Sequence, residues 1–117
     1  MSPEVRDQDD PASIFAALGD PTRFRLVARL AGGEPMSITR LTDGTEISRQ
    51  AVTRHLEVLA EAGLVHGTWH GRERLWELDQ ARLQLARRAI DHISEWWDEK
   101  LARLKVSVEE ESRPERA

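Results

Sequence analysis

The segment from Ser48 to Arg74, SRQAVTRHLEVLAEAGLVHGTWHGRER, constrains the fold more than any other part of the chain, because a capped amphipathic helix passes directly into a basic pair of short strands. Ser48 suits an N-cap, since its hydroxyl can accept from a first-turn N–H that would otherwise lack a partner. Val52, Leu56 and Leu59 recur at i, i+4 and i+7, one apolar stripe on a helix of 3.6-residue period. Gly63 suits the left-handed position that ends many helices, so the spacing predicts a helix over about Arg49 to Ala62. Its other face carries Arg49, Gln50, Thr53 and Arg54 near the N-terminus and Glu57 and Glu61 further on. Arginine can bond guanine O6 and N7, glutamine adenine N6 and N7, and threonine can meet a thymine methyl or a phosphate. The late carboxylates would repel phosphate, so the N-terminal half is the part expected to enter a groove.

The flanks decide between an ordinary solvated helix face and a recognition helix. Upstream, Ile38, Leu41 and Ile47 bracket a short helical segment that opens at Ser37 and is broken by Asp43-Gly44-Thr45, a turn-forming run. Downstream, Leu64 to Trp69 and Arg74 to Leu78 read as two strands around His70-Gly71-Arg72, with Trp69, Leu75 and Trp76 as sheet formers. Arg72 falls at the tip of this ribbon, and with Arg74 it is expected to reach a neighbouring phosphate or the minor groove. Helix, turn, helix and basic ribbon in this order make a mostly α fold with a small β-hairpin, a winged helix-turn-helix of order α-α-α-α-β-β-α.

ALGDPTRFRLVARLAGGEPMSITRL, SRQAVTRHLEVLAEAGLV and HGRERLWELD together resemble the ArsR/SmtB family of bacterial winged-helix repressors over roughly Ile14 to Leu104. The resemblance implies a homodimer that binds a palindromic operator near its own promoter and leaves it when an inducer binds. It places Ser48, Arg49, Gln50, Thr53 and Arg54 at groove-facing positions and Arg72 at the wing tip.

Many members of that family sense metals, and this chain departs from them. It has no cysteine, so a thiolate site for arsenic or cadmium cannot exist. The last helix offers Asp91, His92 and Glu95, but ligands from one helix fall short of a closed tetrahedral zinc site unless a partner contributes. No metal and no other cofactor is expected. His66 and His70, at i and i+4 on one strand, are read as polar wing residues.

Two flanking helices account for assembly. Asp20-Pro21 is an N-cap with proline at N1, and Phe24, Val27 and Leu30 make a stripe that ends before Gly32-Gly33. From about Gln80 to Val106 no glycine or proline interrupts a pattern that places Ala86, Ile90, Ile93, Trp97, Leu101, Leu104 and Val108 at alternating steps of four and three. That stripe suits packing along a second helix, and the expected dimer face combines Ile90, Ile93, Trp97, Leu101 and Leu104 with Ile14, Phe15 and Leu18 of the first helix.

At 117 residues the chain is expected to be one domain over residues 12–108, with acidic disordered tails over 1–11 and 109–117. The formal net charge of −4 is unevenly placed. Residues 1–19 carry one basic and four acidic groups and residues 91–117 five and eight, which leaves +2 for the middle. DNA binding is therefore expected to be modest and salt-dependent. No apolar run approaches the ~20 residues that span a bilayer, and MSPEVRDQDD has no signal pattern, so a cytoplasmic location is expected. A protein-interaction module without DNA binding would keep the fold but not require Arg49, Arg54 and Arg72 to converge. Catalysis has no Gly-rich phosphate loop, cysteine nucleophile or paired serine and histidine to work with.

Overall fold

In the computed structural model, which describes residues 10–112, each helix start is marked by a side chain that accepts an otherwise unpaired N–H. Asp10 accepts from Ala12 N at 2.9 Å at the head of α1 (Pro11–Leu18), and Asp20 from Arg23 N at 3.0 Å at the head of α2 (Pro21–Leu30). Arg23 then reaches back, and its Nε donates to Ala17 O at 2.6 Å near the end of α1. The run ALGDPTR is thus a corner in which one helix is closed and the next opened by neighbouring residues. Ser37 is both the end of β1 (Met36–Ser37) and the cap of α3 (Ile38–Thr42), where its Oγ accepts from Arg40 N at 3.2 Å. Ser48 does the same for α4 (Arg49–Glu61), accepting from Ala51 N at 3.1 Å.

Past α4 the N–H groups of Gly63 and Leu64 bond to the carbonyls of Ala60 and Leu59, with Gly63 at φ +76°. This is the glycine-dependent helix ending that the sequence led us to expect. The chain then forms β2 (Val65–His70) and β3 (Glu73–Leu78), and the long α5 (Gln80–Ser112) follows. The sheet is antiparallel in the order β1-β3-β2, with Gly67 opposite Trp76 and Trp69 opposite Arg74. The hairpin loop is Gly71-Arg72 alone, with positive φ at Gly71 only, as a type II′ turn requires.

The core joins Ile14, Leu26, Leu41 and Trp76 with the expected Val27, Leu30, Val52, Leu56 and Leu59. Several expectations are corrected here. The third strand, β1, was not foreseen, since two residues carry no alternation to detect. Phe24 is 60 % exposed, because the buried arc of α2 runs through Leu26, Val27 and Leu30. Ile14, expected on the dimer face, is wholly inside the core and has no surface left for a partner, while Phe15 and Leu18 are half-buried against it. Residues 109–112, expected in a tail, are helical, since Glu109, Glu110 and Glu111 are good helix formers with no glycine or proline to stop them. Pro11 likewise already belongs to α1. Residues 1–9 and 113–117 of the expected tails lie outside the described residues.

The chain divides into two units between Ala86 and Arg87, within α5. The second unit is helical from Arg87, and Ile90, Ile93, Trp97, Leu101, Leu104 and Val108 are exposed along it. Lys100 Nζ lies 4.5 Å from the centroid of the Trp96 ring, and Arg103 pairs with Glu99 one turn earlier at 3.8 Å.

Candidate nucleic-acid interface

The helix-turn-helix is α3, the turn from Asp43 to Ser48, and α4. Five residues of helix cannot hold themselves together, and α3 is secured from outside. The guanidinium of Arg29 on α2 donates from Nη1 to Leu41 O at 2.8 Å and Asp43 O at 3.3 Å, and from Nη2 to Arg40 O at 2.8 Å. Those carbonyls end α3, where a cation is favoured. Thr45 Oγ1 donates to Thr42 O at 2.6 Å and tightens the turn.

On α4, Arg49, Gln50 and Arg54 are exposed and Thr53 half-buried. Two of the expected groove residues carry local duties as well. The Ser48 oxygen accepts the Ala51 N–H, and the Thr53 hydroxyl donates to Arg49 O at 2.9 Å, which leaves its methyl and lone pairs as the groups it can offer a base. One turn on, His55 Nδ1 stands 3.5 Å from Arg23 Nη1 and 3.9 Å from Asp20, so α4 is tied to the α1–α2 corner. The Asp20 carboxyl is held below its ordinary value, first by the Arg23 backbone N–H.

The wing stands beside the start of α4. Ser37, Ile38, Thr39, Arg49, Trp69 and Arg74 line a groove of about 530 Å³, completed by His70, Arg72 and Glu73. Arg49 from the helix and Arg72 from the hairpin turn therefore face one channel, with Glu73 its single carboxylate. Arg74 departs from the expectation of a free, phosphate-seeking side chain. Its guanidinium carbon lies 4.3 Å from the centroid of the Trp76 ring and 5.8 Å from that of Trp69, and its Nε is buried without a hydrogen bond.

At the base of the wing His66 Nε2 donates to Asp79 Oδ2 at 2.5 Å, while Asp79 Oδ1 accepts Arg82 N at 3.0 Å at the start of α5. The bond from His66 is the main reason the Asp79 carboxyl sits below its ordinary value, against partial burial that pushes it up. This pair was not foreseen, although an aspartate between a strand and a helix is a recognisable cap signal. His70, the other histidine of that strand, lies on the groove.

Within a single copy, the described residues do not assemble a metal site. Cysteine is absent from the sequence, Asp91, His92 and Glu95 are exposed on a single helix, and among the described residues no three histidine or carboxylate side chains come together as a ligand set. Among those residues, too, no helix is long and apolar enough to cross a membrane.

A helix-turn-helix domain family model matches residues 18–68, from the end of α1 to the middle of β2. The HTH-type transcriptional regulator Rv2034 of Mycobacterium tuberculosis is 38 % identical over 81 residues, which are 69 % of this chain and 75 % of that protein. The transcriptional repressor SmtB homolog of Synechocystis sp. is 33 % identical over 99 residues, 81 % of this chain and 74 % of that protein. Among solved structures, an ArsR-like transcriptional regulator from Rhodococcus sp. RHA1 superposes with a TM-score of 0.69 at 37 % identity, covering 81 % of this chain and 89 % of that one. With the exposed basic helix, the hairpin beside it and these relatives in agreement, the chain belongs to the ArsR/SmtB family of winged helix-turn-helix transcriptional regulators and is not an enzyme.

Proposed function

We propose that this regulator is a homodimeric repressor of its own or a neighbouring operon, acting in the cytoplasm on a palindromic operator. Any inducer that releases it is not a coordinated metal. The observation that carries this reading is the convergence of Arg49 from α4 and Arg72 from the wing on one groove. A duplex strand leaving the major groove past the start of α4 would run along that channel. Arg54 and Gln50 are the base-reading side chains, Arg49 and Arg72 the phosphate contacts, and Ser48 and Thr53 the supporting polar contacts. Repression rather than activation follows the Synechocystis relative, which is named a repressor.

Dimerisation is supported by α5. Its exposed stripe through Ile90, Ile93, Trp97, Leu101 and Leu104 is too extensive to remain solvated, and a second copy of the same helix matches its spacing. Phe15 and Leu18 would add the partly exposed edge of α1. A twofold dimer presents two recognition helices to half-sites about 34 Å apart on one face of the duplex. Footprinting on DNA upstream of the gene, with and without zinc, tests the operator. Sedimentation with gel shift of Trp97→Asp tests the assembly, since an unpaired carboxylate in an apolar interface is strongly unfavourable. The expected result is a monomer, or an unstable chain, that loses operator binding with every DNA-facing residue intact. A folded monomer with undiminished affinity would refute the dimer reading.

A further inference from the structure

We propose that Trp69 is a DNA-contacting residue of the wing, its indole laid against the sugar-phosphate strand in the groove beside α4, and that Arg74 is its positioning residue rather than a phosphate ligand. This rests on the duplex-binding reading above. Four residues share one face of the hairpin, because Gly67 is paired with Trp76 and Trp69 with Arg74. Trp76 is closed into the core at 1 % exposure, whereas Trp69 is 65 % exposed. Between them lies the Arg74 guanidinium, within cation–π distance of both rings and nearer the buried one. The stack therefore runs from an immobile indole, through a cation, to an indole that lines the groove with Arg49 and Arg72.

The room for this stack is provided by Gly67. A Cβ there would stand 2.9 Å from Arg74 Cζ and closer still to Nε, so any side chain at that position displaces the guanidinium. An arginine held over two rings, with Nε buried and unbonded, is poorly placed to bind a phosphate in solvent. A tryptophan held in place beside two exposed arginines is well placed for a duplex. Its face can cover deoxyribose carbons and its N–H can donate to a phosphate oxygen, with little side-chain entropy lost because Arg74 has already fixed the ring.

The two roles separate in the salt dependence of binding. A phosphate contact releases counterions and contributes about 1 to the slope of log K against log salt, while an indole packing on sugar does not. The probe is a duplex enriched by the wild-type protein from a random-sequence pool, titrated by fluorescence anisotropy at several salt concentrations. Trp69→Ala is expected to weaken binding about tenfold with the slope unchanged, and Trp69→Phe to recover most of the loss. Arg74→Met and Gly67→Ala, one removing the cation and the other only displacing it, should each weaken binding by no more than Trp69→Ala, leave the slope unchanged and add nothing in combination with it. Arg72→Ala, by contrast, should lower the slope by about 1. Trp69→Ala binding within about twofold of wild type, or a slope lowered by about 1 in Arg74→Met, would overturn the inference while leaving the regulator reading intact. Wild-type protein that enriched no duplex at all would sink both.

Discussion

Replacing Arg29 with methionine keeps the aliphatic length of the side chain and removes the fork that holds α3 and its turn. Two short donations, to Leu41 O and Arg40 O at 2.8 Å each, and a longer one to Asp43 O at 3.3 Å would be lost together. Hydrogen bonds from a charged donor contribute about 1.5–3 kcal/mol each when shielded. Arg29 is exposed as a residue, so about 1 kcal/mol for each short bond is the appropriate scale, or about 2 kcal/mol in all. For a domain of this size that corresponds to a fall of roughly 10 °C in Tm. Thermal melts by circular dichroism measure it, and amide exchange over Leu41 to Ile47 shows whether the loss is local. Since the turn sets the entry of α4 into a groove, operator affinity should also fall, although Arg29 itself is not placed among the DNA contacts. A Tm within about 2 °C of wild type, with protection of that segment unchanged, would refute the reasoning.

On the recognition helix, Arg54→Ala and Gln50→Ala should each relax base preference by roughly 1–3 kcal/mol, measured as the ratio of operator to random-duplex affinity. Equal losses on both duplexes would make that residue a phosphate contact. The Asp79 carboxyl, depressed chiefly by His66, contributes stability that is full above its unfolded value of about 4 and is lost as pH falls through the lower folded value. The Tm gap between wild type and Asp79→Asn should therefore narrow as melts are taken below pH 4, and a gap that stayed constant would show the bond from His66 to be energetically idle. DNA binding should survive a chelator and be unaffected by zinc, and tight stoichiometric zinc binding abolished by His92→Ala would count against a metal-free mechanism.

What was legible in the sequence is what local rules encode. The cap at Ser48, the stripe Val52, Leu56 and Leu59, and the ending at Gly63 all act within one helix, and the structure reproduces them. The hairpin was readable from Gly71 between two sheet-forming runs, although the turn is tighter than His70-Gly71-Arg72, since His70 still pairs with Glu73. Ile14 shows the limit. On an eight-residue helix, apolar residues that face the chain's own core and those that could face a partner differ only by a rotation, and spacing cannot say which side is which. Arg74 shows another. Its sequence neighbours suggest a solvent-seeking cation, but what holds it is Trp76 two residues on and the space left by Gly67 across the ladder.

Two kinds of arginine in the first unit cannot be separated by composition. Arg23 ends on Ala17 O beside the end of α1, Arg29 on the last carbonyls of α3, and Arg82 on Ala62 O at the end of α4, at 3.0 Å. Three helix C-termini, each with carbonyls that lack intrahelical partners, are thus closed by guanidinium groups brought from other elements. A planar fork is needed for this at Arg29, where two nitrogens meet three carbonyls, and the single ammonium of a lysine would not span them. These cations are counted in the +2 of the middle segment but do not face the groove. The proposed contacts fall instead to Arg49 and Arg72 on phosphate and Arg54 on base edges. The orientation of the helix that carries Arg49 and Arg54 is set by charges that need never meet DNA.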